Sequence, residues 1–495
     1  MQKTRPILAW ETLLDLDSGA DAGMTALRQP LRGRLERALR AAVAEGRLPT
    51  GAALPASRVM AETLGVSRWV VTEAYGQLVA EGVLEARTGS ATRVAASAAP
   101  SALEGDSDAR NRPAGVTLAG VTRPPTDARG PRAPRFDLRP GIPDLRATPR
   151  SRWSSALRSA LVTLPDHELA AAHRWGYAPA RIAVAEHLSR SRHAVAVPER
   201  VLLTHGAGDG MRILAEELHR QGHRCILVED PSWPRLREIA GRAGLRPIPI
   251  PVDDDGIDVS ALTDAASRSG ARIALLTPAH QFPLGVALSA PRREQIVRWA
   301  RDQDAILIED DYDAEFRYDR RPIAALQRLA PDRVALLGSL SKSVSPALGI
   351  GWALLPAGID PEPSASSPSL IDQAALARFI LHGDFERHLR ASRIRFRRRR
   401  ARMLEALRTE LPALTPSGIA AGMHLVLPLP PGCTAMQVIA AAPADLAITP
   451  LDRYAADREA PDALVLGYGN LDDALVEAAV ARVAGIIREL DPGRR

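Results

Sequence analysis

The sequence predicts a multidomain protein, with a small α+β region at the N-terminus followed by a much larger α/β region. Within residues 26–95, two short helical segments flank Gly65 and precede a pair of β-like runs. Residues 96–134 are rich in Ala, Ser, Pro and Gly without periodicity, which is typical of a flexible linker. Residues 135–490 alternate short apolar runs with helical segments, among them those predicted over 291–302 and 324–329, a pattern that predicts a mostly parallel sheet with helices on both faces.

Composition limits the classes of protein to which the chain can belong. Its 495 residues are enough for two or three domains. The two cysteines, Cys225 and Cys433, provide no disulfide framework, which suits a reducing compartment. The chain has no signal-peptide core and no 18-residue apolar run, so we expect a cytoplasmic protein without a membrane span. No metal site is expected.

The N-terminal region has the order of elements of a winged helix-turn-helix. Apolar residues at helical spacing predict a first helix over 31–45. Ser57 and Ser67 are expected to cap helices over 58–64 and 68–81, and Gly65 ends the first of these two. Residues 83–94 then predict a hairpin, the wing. By pattern alone, a small helical domain with a hairpin and no DNA-binding role fits equally well. The region holds ten arginines against six glutamates, a surplus that suits nucleic acid.

Lys342 is the most informative residue of the larger region. Only two of the 64 basic residues are lysines, Lys3 and Lys342. A Schiff base with an aldehyde cofactor requires a primary amine that can lose its proton, which an arginine cannot replace. Lys342 is therefore the best-placed candidate.

Two further patterns surround this lysine. A short buried strand over 305–308 leads into Glu309, Asp310, Asp311 and Tyr312, at the position where open α/β sheets bind ligands. A carboxylate there could keep a pyridine nitrogen protonated, as pyridoxal phosphate (PLP) chemistry requires. The strand 201–204 leads into a Gly-rich turn and a helix expected from about Met211, a pattern typical of phosphate binding.

These motifs together resemble those of the MocR-type transcriptional regulators. The N-terminal match comprises G-R-L-P-x-G-x-x-L-P-x-S-R, G-V-S-R and A-Y-x-x-L, and the later match comprises H-Q-F-P-x-G, D-D-Y-D-A-E-F and S-L-S-K-S. The family joins a GntR-type winged helix-turn-helix to a class I, fold type I aminotransferase-like PLP domain. The resemblance begins near Leu31 and continues to the C-terminus. It implies a large part over about 150–370 and a small C-terminal α/β part over about 371–490.

The resemblance implies a PLP site with Lys342 as the Schiff-base lysine. By the same resemblance Asp310 pairs with the pyridine nitrogen and Tyr312 lies near the phenolic oxygen. Trp233 matches the aromatic that stacks on the ring, although burial alone would also explain a tryptophan there. Tyr177 is expected to reach a partner subunit's phosphate in a homodimer, or else to be a packed aromatic. The other implied cofactor contacts are Gly206, Ala207 and Gly208 for the phosphate, His280 or Gln281 near O3′, and Ser339 and Ser341.

The resemblance also implies contacts with double-stranded DNA. The implied positions are Ser57, Arg58, Ser67, Arg68 and Thr72, with Arg87, Thr88 and Gly89 at the wing. Arg87 and Arg93 are expected to meet phosphates. Trp69 departs from the family, which commonly has a small polar residue at that position.

Two departures bear on function. The family pattern has a phosphate-binding arginine seven residues after the lysine, where this chain has Gly349, and the segment before Gly467 lacks an arginine for a substrate carboxylate. Three hypotheses remain: a regulator that senses PLP or an amino compound through an aldimine at Lys342, a working aminotransferase with an added DNA-binding domain, and a DNA-binding protein whose second domain binds no cofactor.

The arginine-rich run 393–400 could bind nucleic acid, although a solvated or dimer-facing helix is the more common explanation.

Overall fold

A computed structural model describes Trp10 and residues 31–86, 91–95, 134–171, 173–318, 323–362, 367–456 and 460–491. The chain divides into two compact units, residues 1–124 and 125–495. None of the helices in the described part of the chain combines the length and apolar character needed to cross a membrane.

The N-terminal unit contains three helices and a hairpin. Its elements are α1 (Leu31–Ala44), α2 (Ser57–Leu64), α3 (Arg68–Ala80), β1 (Leu84–Glu85) and β2 (Arg93–Val94). The two strands pair antiparallel, with Leu84 opposite Val94. Leu39, Met60 and Leu78 are fully buried and belong to one apolar cluster that also includes both of these strand residues. The predicted α+β arrangement is confirmed.

The caps of α2 and α3 agree with the sequence at two positions out of three. Gly65 ends α2 in the left-handed conformation with φ 64°, and the Ser67 hydroxyl accepts a hydrogen bond from the Val70 amide at 3.4 Å. The prediction that Ser57 caps α2 is wrong. Ala56, with a non-helical ψ of 146°, occupies the cap position, so the helix begins at Ser57 and the hydroxyl lies inside the first turn.

The second unit is built on an eight-stranded sheet. The strands of this unit, which also form a three-stranded C-terminal sheet and the short pair β3 and β13, are as follows: β3 (Phe136–Asp137), β4 (Val201–Thr204), β5 (Cys225–Asp230), β6 (Arg246–Asp253), β7 (Gly256–Ile257), β8 (Ile273–Leu276), β9 (Ile306–Asp310), β10 (Val334–Ser339), β11 (Gly351–Leu354), β12 (His424–Pro428), β13 (Leu446–Ala447), β14 (Thr449–Pro450) and β15 (Ala463–Gly467). Its helices are α4 (Arg150–Thr163), α5 (Asp166–Leu169), α6 (Ala178–Arg192), α7 (Ala207–Arg220), α8 (Pro234–Arg242), α9 (Val259–Ser269), α10 (Ala290–Asp302), α11 (Leu340–Ser343), α12 (Leu370–Leu381), α13 (Asp384–Glu410), α14 (Ala435–Ala441) and α15 (Val476–Leu490).

The strands of the large sheet lie in the order β4-β11-β10-β9-β8-β5-β6-β7. The neighbours from β10 to β6 are all parallel, while β11 runs antiparallel to both β10 and β4. Alternate residues of a strand face opposite sides, so Ile306 and Ile308 pack in the cluster with α7 and α8, whereas Leu307 packs in the cluster with α9 and α10. The mostly parallel sheet with helices on both faces is therefore confirmed.

Two predicted helices differ from the structure. Helix α7 begins at Ala207 rather than near Met211, because Gly206 has a φ of 110° and lets the chain turn directly from β4 into the helix. The helix expected over 324–329 is a single 3₁₀ turn, Leu326–Arg328. The amides of Leu326 and Gln327 donate to the buried Glu309 carboxylate, which therefore caps the amino end of this turn.

The C-terminal part is an antiparallel sheet of β12, β15 and β14 covered by helices α13, α14 and α15. The arginine-rich run lies on α13. Its Arg399 is buried, and its guanidinium pairs with Asp144 at 2.7 Å and also with Asp473. Arg393 donates to the Glu315 carbonyl at 2.8 Å. At these two positions the run holds α13 to the rest of its own unit.

Candidate functional site

The candidate ligand site lies at one edge of the large sheet. Strands β4, β5, β8, β9 and β10 run in the same direction, so the turns that follow them meet at the edge where their carboxyl ends lie. A cavity of about 440 Å³ opens there, and its lining includes Trp233, Tyr312 and Lys342. The sequence-predicted positions after three different strands therefore share one cavity.

Lys342 extends from the single turn α11, directly after β10. Its Nζ donates a 2.6 Å hydrogen bond to the Gly141 carbonyl and lies 4.4 Å from the centre of the Trp233 ring. Burial lowers the pKa of the amine from 10.5 to about 8, although the nearby carboxylates Asp310 and Asp313 act in the opposite direction. The site therefore enlarges the neutral, nucleophilic fraction of this lysine relative to that of an exposed lysine.

Asp310 ends β9 and is buried, with 6% of its surface exposed. Its Oδ1 atom has no hydrogen-bond partner among the described residues. Burial raises the pKa of the carboxyl group to about 7, with Asp313 adding to the rise and Lys342 opposing it. A buried carboxylate that lacks a partner is unfavourable until a donor or cation pairs with it.

Tyr312 contacts a histidine–aspartate pair. Its hydroxyl lies 2.9 Å from Nδ1 of His280, and the same nitrogen lies 2.9 Å from Oδ2 of Asp313. Burial raises the pKa of the Tyr312 hydroxyl well above its usual value, with Asp313 and Asp310 adding to the rise. The tyrosine therefore stays protonated and can serve as a hydrogen-bond donor.

Gln281, the neighbour of His280, is engaged elsewhere. Its amide nitrogen donates to the carbonyls of Pro231 and Phe282, each at 2.8 Å, and its oxygen accepts from the Leu284 amide at 3.1 Å. These contacts fix the turns after β5 and β8. Of the two neighbours, His280 is the one joined to Tyr312.

The Gly-rich turn after β4 forms the amino end of α7. Ala207 and Gly208 occupy the first turn of this helix, where backbone N–H groups lack acceptors within the helix. The Ser341 hydroxyl lies about 4.0 Å from the position that a Cβ on Gly206 would occupy. The Ser339 hydroxyl accepts from the Ser341 amide at 3.3 Å and so caps α11. This corner can receive an anion.

Tyr177 does not line the cavity of its own chain. It precedes α6, and its ring packs edge-on against His173 with 5.5 Å between the ring centres. Its backbone amide donates to Gln373 at 2.6 Å.

Sequence reasoning missed several residues of this site. The carbonyl of Gly141 accepts from Lys342 across 201 positions of sequence, and Arg235 and Arg453 line the cavity. Asp313 belongs to the acidic run after β9, a signal that could have identified it. Arg235 follows Trp233 by two residues at the start of α8, which was a weaker signal. Within the described ranges, no group of three or more His, Cys, Asp or Glu side chains is placed to hold a metal ion.

The candidate DNA-binding surface lies around the start of α3. Arg68, Trp69 and Thr72 are all exposed there, the tryptophan at 65%. Thr72 donates its hydroxyl proton to the Arg68 carbonyl at 3.0 Å. On α2, the highly exposed Arg58 pairs with Glu62 at 3.1 Å. Exposed side chains at the amino end of such a helix can meet base edges.

The wing is described only in part. Arg87, Thr88 and Gly89 lie outside the described residues, and their expected DNA contacts stay a prediction. Arg93, on β2, donates to the Gly51 carbonyl at 2.9 Å.

Both units match known protein families. Residues 31–94 match the gntR family of bacterial regulatory proteins, and residues 166–481 match the class I and II aminotransferases. Solved structures agree on the fold of the second unit. A kynurenine aminotransferase from Pyrococcus horikoshii superposes with a TM-score of 0.64 at 23% identity, covering 71% of this chain and 90% of its own. The α-aminoadipate aminotransferase LysN of Thermus thermophilus gives 0.62 at 24% identity, covering 71% of this chain and 91% of its own. The predicted fold type I domain is confirmed.

This family and fold imply PLP as the cofactor, and the residues of the cavity fit it. PLP presents a basic ring nitrogen, a flat aromatic ring, an aldehyde and a phosphate. The cavity region offers the partnerless buried oxygen of Asp310, the face of Trp233, the amine of Lys342 and the free amides of Ala207 and Gly208.

Two curated relatives extend over both units. The HTH-type pyridoxine biosynthesis transcriptional regulator PdxR of Corynebacterium glutamicum is 32% identical, over 92% of this chain and 95% of its own length. The probable rhizopine catabolism regulatory protein MocR of Rhizobium meliloti is 33% identical, over 84% of this chain and 83% of its own. The chain therefore belongs to the MocR-type helix-turn-helix transcriptional regulators, in which a gntR-family DNA-binding domain is joined to a class I and II aminotransferase domain.

Proposed function

We propose that this protein regulates transcription in the cytoplasm, and that the ligand at Lys342 sets how it binds DNA. The supporting observation is the cavity lined by Lys342, Tyr312 and Trp233, beside which the buried Asp310 carboxyl group interacts electrostatically with Lys342, in a chain whose helix α3 has an exposed start. The proposed effector is PLP itself or a small amino compound that reacts with it. Domain bounds of 26–95 for DNA binding, 96–134 for the linker and 135–490 for ligand binding are part of the proposal.

Each cavity residue has a proposed task that follows from its surroundings. Bound PLP supplies an aldehyde that combines with amines and a ring that withdraws electrons. Lys342, part of which is neutral because burial lowers its pKa to about 8, would supply the amine for this aldehyde. Asp310 accepts a hydrogen bond from the protonated ring nitrogen, which gives its buried oxygen a partner. Trp233 covers one face of the ring.

Tyr312 and His280 act at the oxygen on the ring. The high pKa of Tyr312 keeps its proton in place, so it donates a hydrogen bond to a negative oxygen. His280 and Asp313 hold the tyrosine hydroxyl from behind, with contacts of 2.9 Å at each step. Ser339, Ser341 and the first turn of α7 are the proposed phosphate ligands.

DNA binding by the gntR-family unit is proposed to depend on the surface formed by the starts of α2 and α3. Arg68 and Thr72 are assigned to base edges, with Ser57, Arg58, Ser67 and the wing residues Arg87, Thr88 and Gly89 around them. Arg68 is exposed at the first position of α3. A free guanidinium at that position can reach guanine in the major groove.

We propose that the protein acts as a homodimer in which Tyr177 reaches the partner's phosphate site. The position of this tyrosine outside its own cavity supports that proposal. A two-fold protein reads paired half-sites on DNA. Sedimentation of the PLP-bound protein is expected to give a dimer at micromolar concentration, and a monomer would contradict the proposal.

The experiment that tests the function measures DNA binding against occupancy of the cavity. An operator is first selected from random duplexes with the PLP-bound protein. Its affinity is then measured by fluorescence anisotropy for wild type and Lys342→Ala, each with and without PLP. We expect PLP to change the affinity of wild type only. An affinity that PLP leaves unchanged in wild type would contradict a sensing role.

A working aminotransferase is the second candidate, favoured by retention of Lys342, Asp310 and Tyr312 in one place. A 2-aminoadipate transaminase of Thermus thermophilus is 26% identical over 71% of this chain. Sustained conversion of an amino acid and a keto acid would favour this candidate.

A further inference from the structure

We propose that the guanidinium of Arg235 binds the phosphate group of the cofactor. Gly349, at the position where the family pattern has a phosphate-binding arginine, has no side chain for this contact. The inference rests on the proposed function, namely that the cavity at Lys342 takes PLP. Arg235 would then replace the arginine that this chain lacks at position 349.

The amino end of α7 provides amides but no free positive charge. Arg212, the basic residue nearest along the helix, already pairs with Asp209 and Glu216, each at 2.8 Å. Asp209 itself adds a negative charge to the first turn. A phosphate carries between one and two negative charges near neutral pH. The helix end and two serines would leave most of that charge without a counterion.

Arg235 is the guanidinium that lies at this helix end. Its Nε atom is 3.7 Å from the position that a Cβ on Gly208 would occupy, so it faces the first turn of α7. The same side chain lines the cavity that contains Lys342 and Trp233. One residue therefore connects the anion-binding helix end with the lysine cavity.

Arg235 is also available. Throughout the described ranges its side chain makes no hydrogen bond and no ion pair, although the carboxylate of Glu238 lines the same cavity. The nearby Arg139 is engaged, since it pairs with Asp137 at 2.8 and 2.9 Å. Arg237, on the same helix as Arg235, donates to the Ser232, Tyr454 and Ala455 carbonyls. A guanidinium without a partner can form the two parallel hydrogen bonds that phosphate accepts.

Gly349 shows why a different residue is needed. It is a left-handed C-cap with φ 58°, and a Cβ there would have no heavy atom within 4 Å. The position therefore supplies neither a side chain nor a packed contact. The phosphate-binding charge would come from the start of α8, which follows β5, instead of from the segment that follows Lys342.

The test compares two ligands that differ only in the phosphate, PLP and pyridoxal. Their dissociation constants are measured by titrating the cofactor-free full-length protein and following the visible absorption band. Arg235→Met is expected to weaken PLP by about 10- to 100-fold, the loss of one charge-assisted hydrogen-bonded contact, and to leave pyridoxal within about two-fold. Methionine preserves the apolar part of the side chain and introduces no new amine. Arg242→Met, at the exposed far end of the same helix, is the matched control and should change neither constant.

Each outcome decides between distinct explanations. An unchanged ratio of PLP to pyridoxal affinity in Arg235→Met would overturn the phosphate role while leaving the proposed function intact. If the ratio stayed constant but an amino acid added to the PLP-bound protein bound more weakly, Arg235 would recognise an effector's anionic group, and the proposal would be wrong. No visible band with either ligand in wild type would overturn both the proposed function and this inference.

Discussion

The lowered pKa of Lys342 predicts an unusual pH dependence for its chemistry. In the native protein without cofactor, the amine should titrate near 8, because burial disfavours its charged form. In the unfolded chain the same lysine should titrate at the ordinary value of about 10.4. Lowering the pKa from 10.5 to about 8 multiplies the neutral fraction near pH 7 by about 300.

The assay measures the rate at which a small amine-reactive reagent labels Lys342 as the pH is raised. Labelling is read by mass spectrometry of the peptide that contains this lysine. The native rate should rise to a plateau with its midpoint near 8, whereas the protein unfolded in urea should show a midpoint more than one unit higher. Asp310→Asn should move the native midpoint downward, because Asp310 raises the pKa of Lys342. Coincident midpoints for native and unfolded protein would refute the reasoning.

Two further predictions concern arginines in different surroundings. Arg68→Ala should weaken binding to the selected operator by about ten-fold or more, since an arginine–guanine contact is worth about 1–3 kcal/mol. The control Arg40→Ala, which breaks an exposed ion pair with Glu81, should leave this affinity unchanged. Equal affinity of the Arg68 variant and wild type at the same salt concentration would show that α3 does not contact the bases. Arg192→Met should lower the free energy of unfolding in urea by about 3–5 kcal/mol, because it leaves the buried Asp311 without its 2.6 Å partner, while the exposed Arg190→Met should cost less than about 1 kcal/mol. The Arg192→Met penalty should be largest at alkaline pH and should shrink as the pH falls towards about 7, because Arg192 lowers the pKa of Asp311 and its removal lets this carboxyl group take up a proton at a higher pH than in wild type; a penalty that is constant with pH would contradict this explanation.

The sequence was most informative where local pattern and chemistry coincide. The apolar run of β9 predicted a buried strand, and its polar ending placed Asp310 and Tyr312 at the ligand edge of the sheet. Glycine at position 206 indicated a turn that other residues rarely adopt, and its φ is 110°. Because the sequence has only two lysines, Lys342 could be identified as the candidate Schiff-base residue without knowledge of the residues that surround it in the fold.

The remaining features depend on contacts between distant parts of the chain. The Gly141 carbonyl meets Lys342 only after 201 residues of intervening sequence are folded. The burial of Arg399 against Asp144 cannot be read from an arginine-rich run, because Arg397 and Arg398 beside it are exposed. Likewise, the sequence of H-Q-F-P does not reveal that Gln281 bonds to backbone carbonyls while His280 contacts Tyr312.

The central claim is that Lys342 is the cofactor-binding lysine of a DNA-binding regulator, and a single labelling measurement tests it most directly. The PLP-bound protein is reduced with borohydride, digested and analysed by mass spectrometry, with Lys342→Ala treated in parallel. We expect wild type to lose its visible band and to carry the PLP-derived mass on the peptide with Lys342, and we expect the variant to have neither band nor label. A variant that kept the band, or a label found on Lys3 instead, would contradict it.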